Sequence, residues 1–154
     1  MRTRPAHTED AKMEYRRFND TYVVRLDRGE ELVSCLKELC EKEEISLATV
    51  EGLGAADRAV IGLYDVEKKE FLRHEYERPF EITSIIGNIT RKDGEPYLHI
   101  HINLADETMN VIGGHLNECR ISATAELFVR VLDGEVGRMT DEKTGLNLFR
   151  FHRS

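Results

Sequence analysis

Three histidines, His99, His101 and His115, carry the residue type and spacing most suited to chemistry in this chain. They fall in two apolar runs, Leu98-His99-Ile100-His101-Ile102-Asn103-Leu104 and Val111-Ile112-Gly113-Gly114-His115-Leu116, separated by the polar stretch 105–110. Side chains alternate between faces along a strand, so His99, His101 and Asn103 share one face and the four aliphatic residues share the other. Folding the pair about Thr108 sets Leu104 opposite Ile112, Ile102 opposite Gly114 and Ile100 opposite Leu116. A shift of one residue would mix the polar and apolar faces. In this register His101 lies directly opposite His115, with His99 diagonal to it and within side-chain reach.

Three imidazoles on one face form the ligand set of an open zinc site, with a fourth position left for water or a substrate. Nickel or iron would also suit imidazole ligands. Gly113 shares the face and leaves room above the rings, Asn103 is a further polar neighbour, and Glu126 is the carboxylate expected to orient or complete the shell. Two other readings stay open at this point: an ordinary half-polar strand face, and a histidine cluster at a subunit interface. His7, His74 and His152 have no partners at useful spacing and read as surface residues.

The elements that must position this hairpin are mostly strands. Tyr22–Leu26 has strand composition. The stretch from Gly29 to Glu43 reads as the one main helix, with Leu32, Leu36 and Leu39 on one face, Asp27 as its cap and Glu30 at the capping-box position. Strands are expected over 47–54, 59–64, 70–76, 80–91, 97–104, 111–116, 122–132 and 146–151, with Gly52 and Gly54 marking a turn or bulge, a break around Asp57, and turns at Asp93-Gly94 and at Asp133-Gly134. One helix against many short-turned strands predicts a single α+β domain built on a largely antiparallel, barrel-like sheet over 14–154. Residues 1–13 read as a flexible tail.

The whole chain of 154 residues is long enough for its own core. A net charge of −7 argues against broad phosphate-backbone binding. Cys35, Cys40 and Cys119 make an odd set with no framework spacing, as expected of reduced thiols in a cytoplasmic protein. No apolar run suits a signal peptide or a bilayer span, and no Gly-rich phosphate loop appears, so neither a membrane nor a nucleotide cofactor is expected.

From about Tyr15 to Phe151 the chain resembles the plants-and-prokaryotes-conserved (PPC) domain. The resemblance is carried by Glu51-Gly52-Leu53-Gly54-Ala55-Ala56, Ala59-Val60-Ile61-Gly62-Leu63-Tyr64-Asp65, Pro79-Phe80-Glu81-Ile82 with Ser84 and Gly87-Asn88, and the two histidine blocks. It implies a homotrimer, zinc held through His99, His101 and His115, and a DNA-binding, transcription-associated role by analogy with plant members. In those, the segment matching Arg78, Phe80, Glu81 and Ile82 recruits other proteins. The plant AT-hook needs Arg-Gly-Arg-Pro, whereas this tail has Arg2-Thr3-Arg4-Pro5, where threonine adds bulk at the tightest point of a minor-groove contact. The expected fold is also similar to that of acetolactate decarboxylase. That likeness implies an alternative, a zinc-dependent enzyme acting on a small oxo or hydroxy acid, with Glu81, Glu126 and Arg130 as the candidate acid or base groups.

Overall fold

The computed structural model describes residues 13–152. The element order is β1 (Glu14–Phe18), β2 (Thr21–Asp27), α1 (Leu32–Lys42), β3 (Ala48–Asp65), β4 (Glu70–Lys92), β5 (Glu95–Ala105), β6 (Val111–Val131), β7 (Gly137–Thr140) and β8 (Asn147–Arg150). The expected tail and its Arg2-Thr3-Arg4-Pro5 segment lie outside the described residues, apart from Met13. That residue is tied down by its backbone N–H, which donates to Glu30 Oε1 at 2.7 Å.

Six strands form one antiparallel sheet in the order β1-β2-β6-β3-β4-β5, and β7 pairs only with β8. The sheet curls until β5 also pairs with the start of β6, from Ala105↔Val111 to His101↔His115. It is partly rolled and not a closed barrel, because β1 and β2 extend it as an open flap beyond β6. The concave side holds the core. Ile82, Ile85, Ile89, Ile100, Ile102, Leu104, Ile121, Leu127 and Val129 are fully buried there with one face of α1. That face is Leu32, Cys35, Leu36, Leu39 and Cys40, the i, i+3, i+4 stripe that an amphipathic helix presents to a core.

The helix begins three residues later than Gly29. Gly29 has φ +91°, outside the helical region. The backbone of residues 29–31 is instead bonded to β6: Gly29 N–H donates to Ile121 O at 2.8 Å and Ile121 N–H to Glu30 O at 2.9 Å. The cap is therefore Glu31, not Asp27, its carboxylate accepting from the Val33 and Ser34 N–H groups. Glu30 still bonds back to the Asp27 N–H at 2.8 Å, but it closes a turn, not a helix start.

Three pairs of expected strands are single long strands. β3 runs unbroken through Gly52, Gly54 and Asp57, with register shifts at Gly52/Gly54 and Ala56/Arg58. Gly52 and Gly54, expected to mark a turn or bulge, lie at a bulge, and so does Asp57; a bulge bends a strand without ending it. Gly54 is needed for closeness as well: a Cβ there would meet the backbone oxygen of Thr124 and stand 2.7 Å from Ala125 Cα. β1 and β7 were not expected at all. Both are short, polar strands, and β1 lies at a sheet edge, where charge discourages pairing with other chains.

All three cysteines are buried and free. Burial pushes the Cys35 and Cys119 thiols up to about 12 and Cys40 up to about 11, as for inert small hydrophobes.

Candidate metal centre

The hairpin register follows from its aliphatic face. Leu104 pairs with Ile112, Ile102 with Gly114 and His101 with His115. His99 lies two residues from His101 and pairs on its other side with Asn88. The ring centroids are 5.1 Å apart for His99 and His101, 5.6 Å for His99 and His115, and 5.8 Å for His101 and His115. One nitrogen from each ring lies within 4.8 Å of the others. A tetrahedral ion with ~2.0–2.1 Å bonds needs its nitrogens roughly 3.4 Å apart. Rotation of the three rings covers that difference, so the donor set fits a divalent ion.

His99 and His115 are half-buried and His101 is exposed. Burial, then repulsion from His99, His101 and Arg73, pushes the His115 imidazole down to about 4. Burial, then His101 and Arg138, holds His99 below its ordinary value. A neutral imidazole is the form that binds metal, so no proton has to be displaced from these two near neutrality.

The depressed values also set a pH dependence for the metal-free protein. Between about 4 and the ordinary value of ~6.5 the unfolded chain takes up a proton that folded His115 refuses. This part of the stability is whole above ~6.5 and is lost as the pH falls toward 4. We expect the urea midpoint of chelator-treated protein to fall across that window, and His115→Gln to fall less. Parallel profiles for the two proteins would contradict the assignment.

The rings open into a cavity of about 690 Å³ walled by Tyr64, Phe71, Tyr97, Leu148 and Phe149, with Arg138 beside them. Phe71 lies 5.1 Å from the His115 ring and 4.9 Å from Tyr64, which packs edge-on against it. The β7–β8 hairpin closes the far side. Its loop is tied to the β3–β4 end by Tyr64 OH donating to Thr144 O and by Lys69 Nζ donating to Glu142 O at 2.8 Å. Arg138 ties its strands to Thr90 and Asn88.

The other expected residues are distributed as follows. Gly113 lines the cavity, but the space beside it is filled: an added Cβ would meet Asn103 Oδ1. Asn103 turns away from the rings, donating to Ser84 Oγ at 3.0 Å. Glu126 is far down β6, opposite Leu53 and Arg25, and does not reach the histidines. Arg130 pairs opposite Thr21 and Thr49, and Glu81 opposite Ala55 and Ala105, so neither serves the cavity. Arg78 lies over Tyr76 and Phe80, 5.7 and 5.2 Å from their centroids, and 4.0 Å from Asp106. Phe80 and Ile82 are buried, so the 78–82 segment shows solvent Arg78, Pro79 and Glu81. Sequence reasoning missed Arg138, Tyr97 and the β8 residues. The Asn147-Leu148-Phe149 run signalled a strand, but nothing tied it to the histidines.

The profile of the Plants and Prokaryotes Conserved (PCC, also PPC) domain matches residues 13–133. A metal-containing protein from Archaeoglobus fulgidus is 39% identical, with 92% of this chain and 99% of that one covered and a TM-score of 0.81. A plant- and prokaryote-conserved protein from Pyrococcus horikoshii is 33% identical over 92% of this chain and 96% of its own, at a TM-score of 0.79. A candidate DNA-binding protein from Bacteroides thetaiotaomicron shares the fold at a TM-score of 0.90 and 23% identity, over 93% and 100%. A Staphylococcus aureus protein similar to α-acetolactate decarboxylase shares it more distantly, at a TM-score of 0.55 and 12% identity over 75% of this chain and 54% of that one. No curated protein matches. Among the described residues no helix is long and apolar enough to cross a membrane. On the profile match and the two archaeal relatives, the chain belongs to the PPC domain family.

Proposed function

We propose that the chain is a homotrimeric PPC domain that holds zinc through His99, His101 and His115 and offers the ion's open position to a small ligand. The observation that carries this reading is the meeting of three imidazole nitrogens within 4.8 Å at the wall of an aromatic-lined cavity. The Archaeoglobus relative, described as metal-containing, supports it. When bound, the ion would act as a Lewis acid toward a carbonyl or a water. The chain's own part is to hold the His99 and His115 rings neutral and to wall the position off with Phe71, Tyr97 and Phe149.

Among the described residues no Asp or Glu lines the cavity, and Glu81, Glu126 and Arg130 lie elsewhere. Ligand binding is therefore favoured over turnover that needs a carboxylate as general acid or base. The trimer is supported by an exposed apolar patch of Val23, Leu53, Ile86 and Phe128 on four strands, set in a cross-strand row with Glu51 and His101. Val23 pairs with Phe128, Phe128 with Glu51, Glu51 with Ile86, and Ile86 with His101. Ile86 is 67% exposed and nearby Leu53 is 53% exposed. Such a patch on a lone domain is a contact surface in waiting.

A second reading, DNA-associated regulation, is favoured by the description of the Bacteroides neighbour. The acidic charge and the concave site weigh against it. Elemental analysis and sedimentation of one purified sample test the first reading, with about one zinc per chain and a three-chain mass expected. A metal-free protein that takes up no zinc on reconstitution would end it. Salt-sensitive retention of genomic fragments on a filter would instead favour the second.

A further inference from the structure

Arg138 is the least explained charge in the molecule. It sits on β7, in the wall of the histidine cavity, with its guanidinium between two rings: Cζ is 4.5 Å from the Tyr97 centroid and 4.4 Å from that of Phe149. Three of its five N–H groups are used. Nε donates to Thr90 Oγ1 at 2.9 Å, Nη1 to Asn147 O at 3.1 Å and Nη2 to Asn88 Oδ1 at 2.8 Å. One N–H remains on each terminal nitrogen. All three acceptors are neutral, and no described carboxylate forms an ion pair with it.

The surroundings sharpen the point. The chain is rich in acidic residues, 29 in all, yet none of the described ones lines this cavity. With a divalent ion on three neutral imidazoles, the cavity would carry the ion's two positive charges and the arginine's one, with nothing opposite. A partly buried positive charge of that kind is stabilised when an anion pairs with it. The remaining two N–H groups suit the two oxygens of a carboxylate, and the ring walls suit an apolar body.

We infer that Arg138 holds the acid group of an organic carboxylate whose apolar body lies against Tyr64, Phe71 and Phe149 in the histidine cavity. The inference rests on reading that cavity as a ligand site. The competing role for Arg138 is to staple the β7–β8 hairpin to β4, which needs no ligand.

Calorimetric titration with benzoate and with its neutral isostere benzamide separates the two, using the full chain with and without zinc. Benzoate is expected to bind at least about tenfold more tightly than benzamide. Arg138→Gln should weaken benzoate about ten- to a hundredfold and leave benzamide unchanged. Because that variant can loosen the hairpin, Asn88→Asp is the second one. It keeps the shape of the side chain and sets a carboxylate against the guanidinium, so it should displace benzoate by a similar factor without lowering the melting temperature. Failure of wild-type protein to bind benzoate, equal affinity for the two probes, or an unaffected Asn88→Asp would each overturn the inference. A carboxylate from a second copy already paired with Arg138 would show itself as the first of these. Zinc content measured on the same samples reports the metal reading separately, and the zinc-free arm tests the arginine even if that reading fails.

Discussion

His101→Ala is expected to weaken zinc binding by at least about a hundredfold while the metal-free fold keeps its stability to within about 0.5 kcal/mol. The two parts follow from different observations. His101 is one of only three nitrogen donors in the cluster. Loss of a group that merely orients a ligand already lowers metal affinity 10–100-fold in other sites, so loss of a ligand itself does more. The side chain is also exposed, so its truncation leaves no core void. A competition titration with a chromophoric chelator measures the first part and urea denaturation of chelated protein the second. The zinc-loaded proteins should then differ more than the metal-free ones, because an ion that binds only the folded chain adds ~2.7 kcal/mol at a hundredfold excess over Kd. A variant that binds zinc as tightly as its parent would remove His101 from the ligand set.

Gly114→Val is expected to destabilise the protein by about 3 kcal/mol, a fall in Tm of roughly 6–12 °C. Gly114 pairs with Ile102 on one side, and on the other an added Cβ would stand 2.6 Å from the carbonyl oxygen of Gly62. That neighbour is backbone in a paired strand and cannot swing aside. Either β6 parts from β3 or the β5–β6 pairing breaks, both beside His115. Gly62 lies equally close on its own far side, where a Cβ would be 2.5 Å from Leu72 O. Thermal denaturation checks the stability, and the zinc affinity should fall with it as His115 shifts. Wild-type Tm in the variant would show that the strands can separate at no cost, against the close contact described.

How much of this was legible before the structure depends on the kind of signal. The hairpin register was legible because Leu98–Leu104 alternates strictly and only one pairing keeps its aliphatic face intact. The helix face was legible for the same reason at a period of 3.6, but its start was not. Gly29 to Glu31 are helix-compatible in type and are recruited by β6 through tertiary bonds that no local pattern encodes. The bulges at Gly52 and Ala56 could not be told from turns because glycine and aspartate mark both. Glu126 shows the limit of alternation most clearly. Its parity puts it among the outward residues with Phe128, but parity names a face and not a place along the sheet. Arg138 was invisible because a four-residue polar strand carries no periodicity, and its partners Asn88, Thr90 and Tyr97 are distant in the chain.

The β7–β8 hairpin lies beyond the residues matched by the family profile and shares no ladder with the six-stranded sheet. On the proposed reading the six-stranded sheet would hold the ion, and the β7–β8 hairpin, bonded to it through Arg138, would face the bound ligand. Substitutions in this hairpin would then be expected to change the choice of ligand more than the hold on the ion, because the three histidines sit on β5 and β6. Relatives with the same three imidazoles need not share a guest, and chemistry learned for one member transfers to another only as far as their β7–β8 hairpins agree.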